Sequence, residues 1–168
     1  MKLKLLILLF FTSFILIACE EPDNQVTSST PYTDQTLLET EYEGKSFLDD
    51  GIGVVTLTRC IDGDTARFSE DGGVTDFSVR FLGIDTPEVG RNAEPWGEAA
   101  KAFTCNRLSN AFTIVLERDP ASSNQETYGR YLAFVWVDGR LLNLELIEES
   151  YTHASGVLSY KYGEAMQN

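Results

Sequence analysis

The feature that most limits the fold is a series of short β-branched and aromatic runs cut by Asp/Gly turns, with one helical stretch among them. Gly53-Val-Val-Thr-Leu-Thr-Arg-Cys60 alternates apolar and polar residues and reads as a strand. A turn at Asp62-Gly63-Asp64 leads into a second strand opening with Thr65-Ala-Arg-Phe68. Ser69-Glu-Asp-Gly-Gly73 carries the glycines a hairpin turn requires, and Phe77-Ser-Val-Arg-Phe-Leu82 follows as a third strand. From Pro95 to Asn110, Trp96, Ala99, Ala102, Phe103 and Leu108 recur at helical spacing, and Pro95 suits a helix start. Phe112-Thr-Ile-Val-Leu116 and Tyr131-Leu-Ala-Phe-Val-Trp-Val137 supply two more strands, and Leu141 to Glu149 a short helix. Trp96, Trp136 and most phenylalanines are expected in the core. Three strands, a helix, two strands and a helix fit a mainly β, α+β architecture: a five-stranded Greek-key barrel of the OB-fold type with two or three helices.

The N-terminal 44 residues are a different material. Met1-Lys-Leu-Lys4 is a charged start, followed by an apolar and small-residue run from Leu5 to Ala18. The run is shorter than the roughly 20 residues a membrane-spanning helix needs. It ends in Leu16-Ile17-Ala18-Cys19, which resembles the lipobox of a bacterial lipoprotein signal. The resemblance implies a signal peptide over residues 1–18, cleavage before Cys19, lipidation of its thiol, and an extracytoplasmic protein that is secreted or held at the cell membrane. The other reading keeps the run as a permanent anchor helix, which exports the domain equally. Residues 19–44 mix Glu20, Glu21, Asp23, Asp34, Glu39, Glu41 and Glu43 with Ser, Thr, Gln and Pro. Few large apolar residues accompany them, so the segment is expected to be a disordered tether. One domain, residues 45–168, remains.

Cys60 and Cys105 are the other two cysteines. In an exported domain they invite a disulfide, with two buried free thiols as the alternative, and neither has zinc-site spacing. The whole chain is acidic, with 13 Lys/Arg against 26 Asp/Glu. Residues 45–168 hold 11 Lys/Arg and 19 Asp/Glu, a net charge near −8. That balance argues against strong, purely electrostatic association with nucleic acid.

Three short motifs carry chemistry. They are Ile61-Asp62-Gly63-Asp64-Thr65, then Arg80-Phe-Leu-Gly-Ile-Asp85-Thr86-Pro87-Glu88, then Tyr128-Gly129-Arg130 followed by an apolar strand and Asp138-Gly139. Singly each is weak: an Asp-Gly-Asp turn is common, and Arg80 or Glu88 alone is more often a solvated or ion-paired surface residue. Together, in this order and spacing, they resemble the staphylococcal nuclease family from about Val54 to Leu146. That resemblance implies a five-stranded OB barrel and a Ca²⁺-dependent endonuclease. Such an enzyme cleaves DNA and RNA with little sequence preference, favours unpaired strands, and leaves 3′-phosphate ends.

The resemblance assigns Asp64, Asp85 and the backbone carbonyl of Thr86 to the metal, Glu88 to the attacking water, and Arg80 and Arg130 to the phosphate. Tyr128 falls where the family contacts phosphate. These residue types suit phosphodiester hydrolysis, since a hard cation prefers carboxylate and carbonyl oxygens. Planar guanidinium forks match phosphate oxygens in a way lysine does not. Arg80 and Asp85 are five residues apart, so strict strand alternation would put them on opposite faces. Gly83 is the expected interruption, where the family's prototype has leucine.

Three departures accompany the match. Glu126-Thr127 stands where the prototype has Asp-Lys, so one phosphate-facing cation is gone. The loop after Glu88 has only Arg91 as a cation, and Lys161–Asn168 looks like only the first turns of the family's closing helix, as in a short member or a fragment. Weaker substrate binding with a shallow salt dependence is expected. His153, the single histidine, is expected to be incidental, while Tyr160 and Tyr162 could stack on a base or pack in the core. The partners expected are nucleic acid and, through Cys19, a membrane, with a monomeric chain. The competing reading is a non-catalytic OB-fold module that binds nucleic acid or Ca²⁺ at the cell surface.

Overall fold

The computed structural model describes residues 32–157 and 159–167. The expected signal peptide, Cys19 and the first part of the expected tether lie outside the described residues. Chain order is α1 (Tyr32–Gln35), α2 (Phe47–Asp50), β1 (Ile52–Cys60), β2 (Thr65–Ser69), β3 (Asp76–Phe81), α3 (Gly97–Ser109), β4 (Ile114–Glu117), β5 (Tyr131–Val137), β6 (Arg140–Leu141), α4 (Leu142–Glu148) and α5 (Gly163–Gln167). The strand order is β3-β2-β1-β4-β5-β6, and a further parallel pairing of β3 with β5 closes β1–β5 into a barrel. The expected five-stranded architecture is present, and β6 adds a two-residue hairpin arm to β5.

The strands form where β-branched and aromatic residues repeat, and their inward faces make the core. Phe68, Val79, Phe81, Leu116, Phe134, Val135 and Trp136 are almost completely buried. Phe134 and Trp136 meet the Tyr162 ring edge-on, with centroids 4.9 and 5.1 Å away. The fourth strand begins at Ile114 rather than Phe112. Phe112 is left exposed, its N–H and that of Thr113 donating to Asp138 Oδ1 at 2.9 and 2.8 Å. Trp96, expected in the core, is 76% exposed. Periodicity placed it on a helix face, but it lies one residue before α3, where the helical direction of its side chain no longer applies.

Helix α3 is built to hold the β1–β2 loop. Ala100, Thr104 and Leu108, at a four-residue interval, face inward. Thr104 Oγ1 donates to the Gly63 carbonyl at 2.6 Å, and Cys105 pairs with Cys60 at the end of β1, Cα to Cα 5.7 Å. Helix α4, joined to α3 by the Arg107–Glu145 ion pair, is stitched into the barrel by Asn143, which is fully buried. It accepts from Val135 N–H at 2.9 Å and donates to the Leu82 carbonyl at 2.8 Å.

The chain between 32 and 44, expected to be part of a disordered tether, lies on the domain. Thr33 donates from its backbone to Glu148 at 2.8 Å, Asp34 pairs with Arg140, and Thr40 donates to Glu117 at 2.7 Å. Leu38 and Tyr42 pack against the core. The acidic composition concealed this, because two apolar side chains and three polar anchors are enough to dock a short segment whose average is hydrophilic. Glu117, nearly buried, gathers the remaining ends. It also accepts from Trp136 Nε1 at 3.0 Å, the Tyr162 hydroxyl at 2.8 Å and Lys161 Nζ at 3.0 Å. Tyr160 and Tyr162 are thus part of the packing, with burial and Glu117 together pushing the Tyr162 phenol up.

Two of these ties can be measured through stability. The disulfide closes a sequence separation of 45 residues, so the Cys60→Ser, Cys105→Ser double variant should lose about 4 kcal/mol by loop-closure entropy, read as a lowered urea midpoint. Asn143→Ala strands the Val135 amide and the Leu82 carbonyl and should cost about 3 kcal/mol in the same titration.

Candidate active site

The barrel rim is formed where β2 begins, β3 ends and β5 begins. Thr65 and Arg80 are paired across β2 and β3, and Arg80 is paired with Leu132 across the parallel β3–β5 seam. One rim therefore receives Asp64 from the β1–β2 loop, Arg80 from β3 and Arg130 from the turn before β5. After Phe81 the chain must turn sharply if Asp85 is to return to that rim. Gly83 makes the turn at φ +74°, a left-handed conformation that costs glycine little. A side chain there would also collide with Val157 and Met166, its Cβ lying 2.5 Å from Val157 Cγ1. The expected interruption of the strand at Gly83 is thus a turn packed against α5 and the chain leading to it.

Asp64 is 1% exposed. Its Oδ1 pairs with Arg80 Nη1 and accepts from Thr65 Oγ1 at 3.1 Å, while Oδ2 accepts from Thr86 N–H at 2.6 Å. Burial pushes the Asp64 carboxyl up to about 6, opposed by the Arg80 guanidinium and the Thr86 and Thr65 hydrogen bonds; Asp62 nearby adds to the rise. The second arm of Arg80, Nη2, pairs with Asp85, whose side chain is open to solvent. Asp85 is oriented through its backbone: the Thr152 hydroxyl donates to its carbonyl at 2.7 Å and accepts from its N–H at 3.2 Å.

Arg130 joins the same chain of bonds, donating from Nη1 to Thr65 Oγ1 at 3.2 Å. Its Nε pairs with Glu126, which holds the guanidinium firmly protonated and keeps the Glu126 carboxyl below its usual range. Glu126, next to the Thr127 position where a cation is missing, therefore has a role of its own, since it occupies one edge of the guanidinium. Its four-residue spacing from Arg130 was the signal available in the sequence. Tyr128, on the turn between them, is 86% exposed.

Glu88 is exposed, and its position is set by its backbone. Its N–H donates to Glu94 Oε2 at 3.0 Å, and its carbonyl accepts from Glu94 N–H at 2.9 Å. Gly97 completes the loop by passing so close to the Glu88 and Pro87 carbonyls that a Cβ would sit 2.9 Å from the latter. Glu94, Gly97 and Thr152 position the expected site residues and lie outside the three motifs. His153 is exposed beside Thr152.

The donor set fits a hard cation. Asp64, Asp85 and the Thr86 carbonyl offer only oxygen, and a buried carboxylate raised to about 6 gains from added positive charge. Among the described residues no group of three or more His, Cys, Asp and Glu converges on one point. Two carboxylates and a carbonyl would leave most of a cation's coordination to water or a ligand.

Comparison with known proteins points to one family. Residues 78–167 match the family model described as "Staphylococcal nuclease homologue", a span containing Arg80, Asp85, Thr86, Glu88, Tyr128 and Arg130. The chain is similar to a thermonuclease of Staphylococcus intermedius, 34% identical over 119 residues, covering 68% of this chain and 62% of the relative. It is similar to a thermonuclease of Staphylococcus hyicus, 34% identical over 115 residues, 66% of this chain and 65% of the relative. It is also similar to the SPbeta prophage-derived endonuclease YokF of Bacillus subtilis, 33% identical over 170 residues, 88% of this chain. The chain spans between 54% and 65% of the length of these three relatives. With a closed five-stranded barrel whose rim gathers both arginines with Asp64 and Asp85, and with more than half of its length matching the family's own model, this chain belongs to the staphylococcal nuclease family.

Proposed function

We propose that the chain is a Ca²⁺-dependent endonuclease that hydrolyses phosphodiester bonds of DNA and RNA. One observation carries the reading: Arg130, Thr65, Asp64, Arg80 and Asp85 form an unbroken chain of hydrogen bonds along one rim. Two guanidiniums interleaved with two carboxylates is an arrangement suited to a bridging dianion-like transition state and a divalent cation.

Asp64, Asp85 and the Thr86 carbonyl would hold the cation. Bound there, Ca²⁺ would supply charge neutralisation for the phosphate and polarise a water. The remaining work falls to the chain. Glu88, exposed and with its backbone fixed through Glu94, accepts the proton of the attacking water. Arg80 exchanges part of its hold on the carboxylates for phosphate oxygens as negative charge grows on them. Arg130 presents the edge not taken by Glu126, and Tyr128, exposed two residues earlier on the same turn, would add a phosphate contact. Water attacks phosphorus as its proton passes to Glu88, the bond from phosphorus to the 5′-oxygen breaks, the leaving oxygen takes a proton from solvent, and the products are a 3′-phosphate and a 5′-hydroxyl.

The domain's low cation content suits a weak grip on the backbone. The charged N-terminus and the lipobox-like Leu16–Cys19 support an extracytoplasmic chain anchored through lipidated Cys19.

The test uses the full chain in detergent with single-stranded DNA and RNA. Cleavage should require Ca²⁺ and stop with chelator, and the reading fails if folded protein shows no Ca²⁺-dependent cleavage. Glu88→Gln should lower kcat by about 10²- to 10⁴-fold while keeping the rise in melting temperature that Ca²⁺ produces. Binding of that variant to single-stranded DNA should weaken with salt along a log–log slope of only about −1.4, as two phosphate-facing arginines imply at roughly −0.7 per contact.

A further inference from the structure

Trp96 is a large aromatic that the fold exposes on a conformationally costly backbone. It adopts φ +72° and ψ −6° immediately before α3. A bulky L-residue there is a genuine outlier, and glycine would relieve it. Neither burial nor backbone preference accounts for a tryptophan at this point, since it is 76% exposed.

Its surroundings give it a purpose. The Trp96 carbonyl accepts from Ala100 N–H at 2.9 Å, and Gly97 N–H donates to the Glu94 carbonyl at 3.2 Å, so the indole stands on the same closed loop that fixes Glu88. Facing it is the segment 150–155. That segment is bound to the end of the β3 turn by the two Thr152–Asp85 bonds, by the Ile84–Ala154 bridge and by Ser155 N–H donating to the Gly83 carbonyl at 2.7 Å. The Tyr151 ring is braced by Phe103, centroids 5.1 Å apart. Between these walls runs a groove of about 410 Å³ lined by Trp96, Pro87, Tyr151 and His153, with Asp85 also in its lining. Its size falls in the range of about 300–1,000 Å³ typical of small-molecule clefts.

We propose that this groove is a nucleobase subsite, in which an unpaired base next to the scissile phosphate stacks on Trp96. The inference rests on the nuclease reading and names where that substrate's uncharged part goes. No Lys or Arg lines the groove, so it is unsuited to a second phosphate. Asp85 belongs both to the groove and to the bonded rim, so a strand whose phosphate lies at Arg80 has its neighbouring nucleoside within reach of the indole. Stacking needs no charge and little sequence preference, and supplies what an acidic surface lacks. It also demands a base out of its helix, which gives preference for single strands.

The experiment uses the full chain in detergent with Ca²⁺ in the Glu88→Gln background. Trp136, the other tryptophan, is 1% exposed, so fluorescence quenching reports on Trp96. An oligothymidylate should quench emission, and the same oligomer with abasic positions should not. In the otherwise unmodified enzyme, Trp96→Gly should raise KM on single-stranded DNA by on the order of tenfold or more. Its kcat and melting temperature should be unchanged or higher, and Trp96→Phe should recover part of the loss. Equal quenching by the abasic oligomer, or an unchanged KM in Trp96→Gly, would overturn the subsite. A lowered melting temperature with KM unaffected would make Trp96 a structural residue. Loss of Ca²⁺-dependent cleavage as a property of the unmodified chain would overturn the nuclease reading instead, and the quenching comparison would still decide whether a base binds.

Discussion

A carboxylate withdrawn from water is the constraint around which the rim is built. Asp64 is almost wholly enclosed, and enclosure alone favours its neutral form. Keeping it charged takes a guanidinium, a backbone amide and a hydroxyl, which come from Arg80, Thr86 and Thr65. Each of these is placed by a different element. The β2–β3 pairing sets Arg80 beside Thr65, and the turn at Gly83 returns Thr86 to Asp64. Thr104 and the Cys60–Cys105 bridge hold the loop itself against α3. Removing a partner from such a group leaves an uncompensated charge, so the parts of the rim support one another.

Much of this was legible in the residues. Strand β5 was readable to its ends, because Tyr131–Val137 is continuously β-prone and bounded by a turn on each side. The interruption at Gly83 followed from an odd spacing between Arg80 and Asp85. Trp96 and Phe112 were misplaced because apolar character was read as burial, and both lie just beyond the element whose periodicity they continue. Residues that hold the site without touching its chemistry were invisible in sequence. Thr152 meets Asp85 across 67 positions, and Glu94 holds Glu88 only through the latter's backbone N–H and carbonyl. No local pattern encodes either contact.

Docking of residues 32–44 shows a related limit. Average composition described the segment as solvated, yet Thr33, Asp34 and Thr40 each reach a specific charged partner. Glu117 binds this arm, β5 and the chain before α5 at one buried carboxylate. The acidic excess of the chain is therefore distributed unevenly in its effect. Some carboxylates organise the fold from inside, while those on the rim limit how tightly a polyanion can be held.

The parallel seam between β3 and β5 has a consequence for folding and for the lifetime of the site. Two pairings in this barrel, β1 with β4 and the parallel β3 with β5, join strands far apart in the chain, and the second sets Val79–Phe81 against Tyr131–Ala133. Pairings so distant in sequence require a large loop to close and are favoured late. Arg80 lies in that seam and Arg130 one residue before it, so closure of the sheet and assembly of the two guanidiniums are a single event. A partly folded chain has the strands of a barrel and only half of a phosphate clamp. A fluctuation that unzips the seam in the finished protein likewise parts the two arginines, and because Val79, Phe81 and Ala133 belong to both the seam and the core, the clamp opens only as far as the core itself loosens.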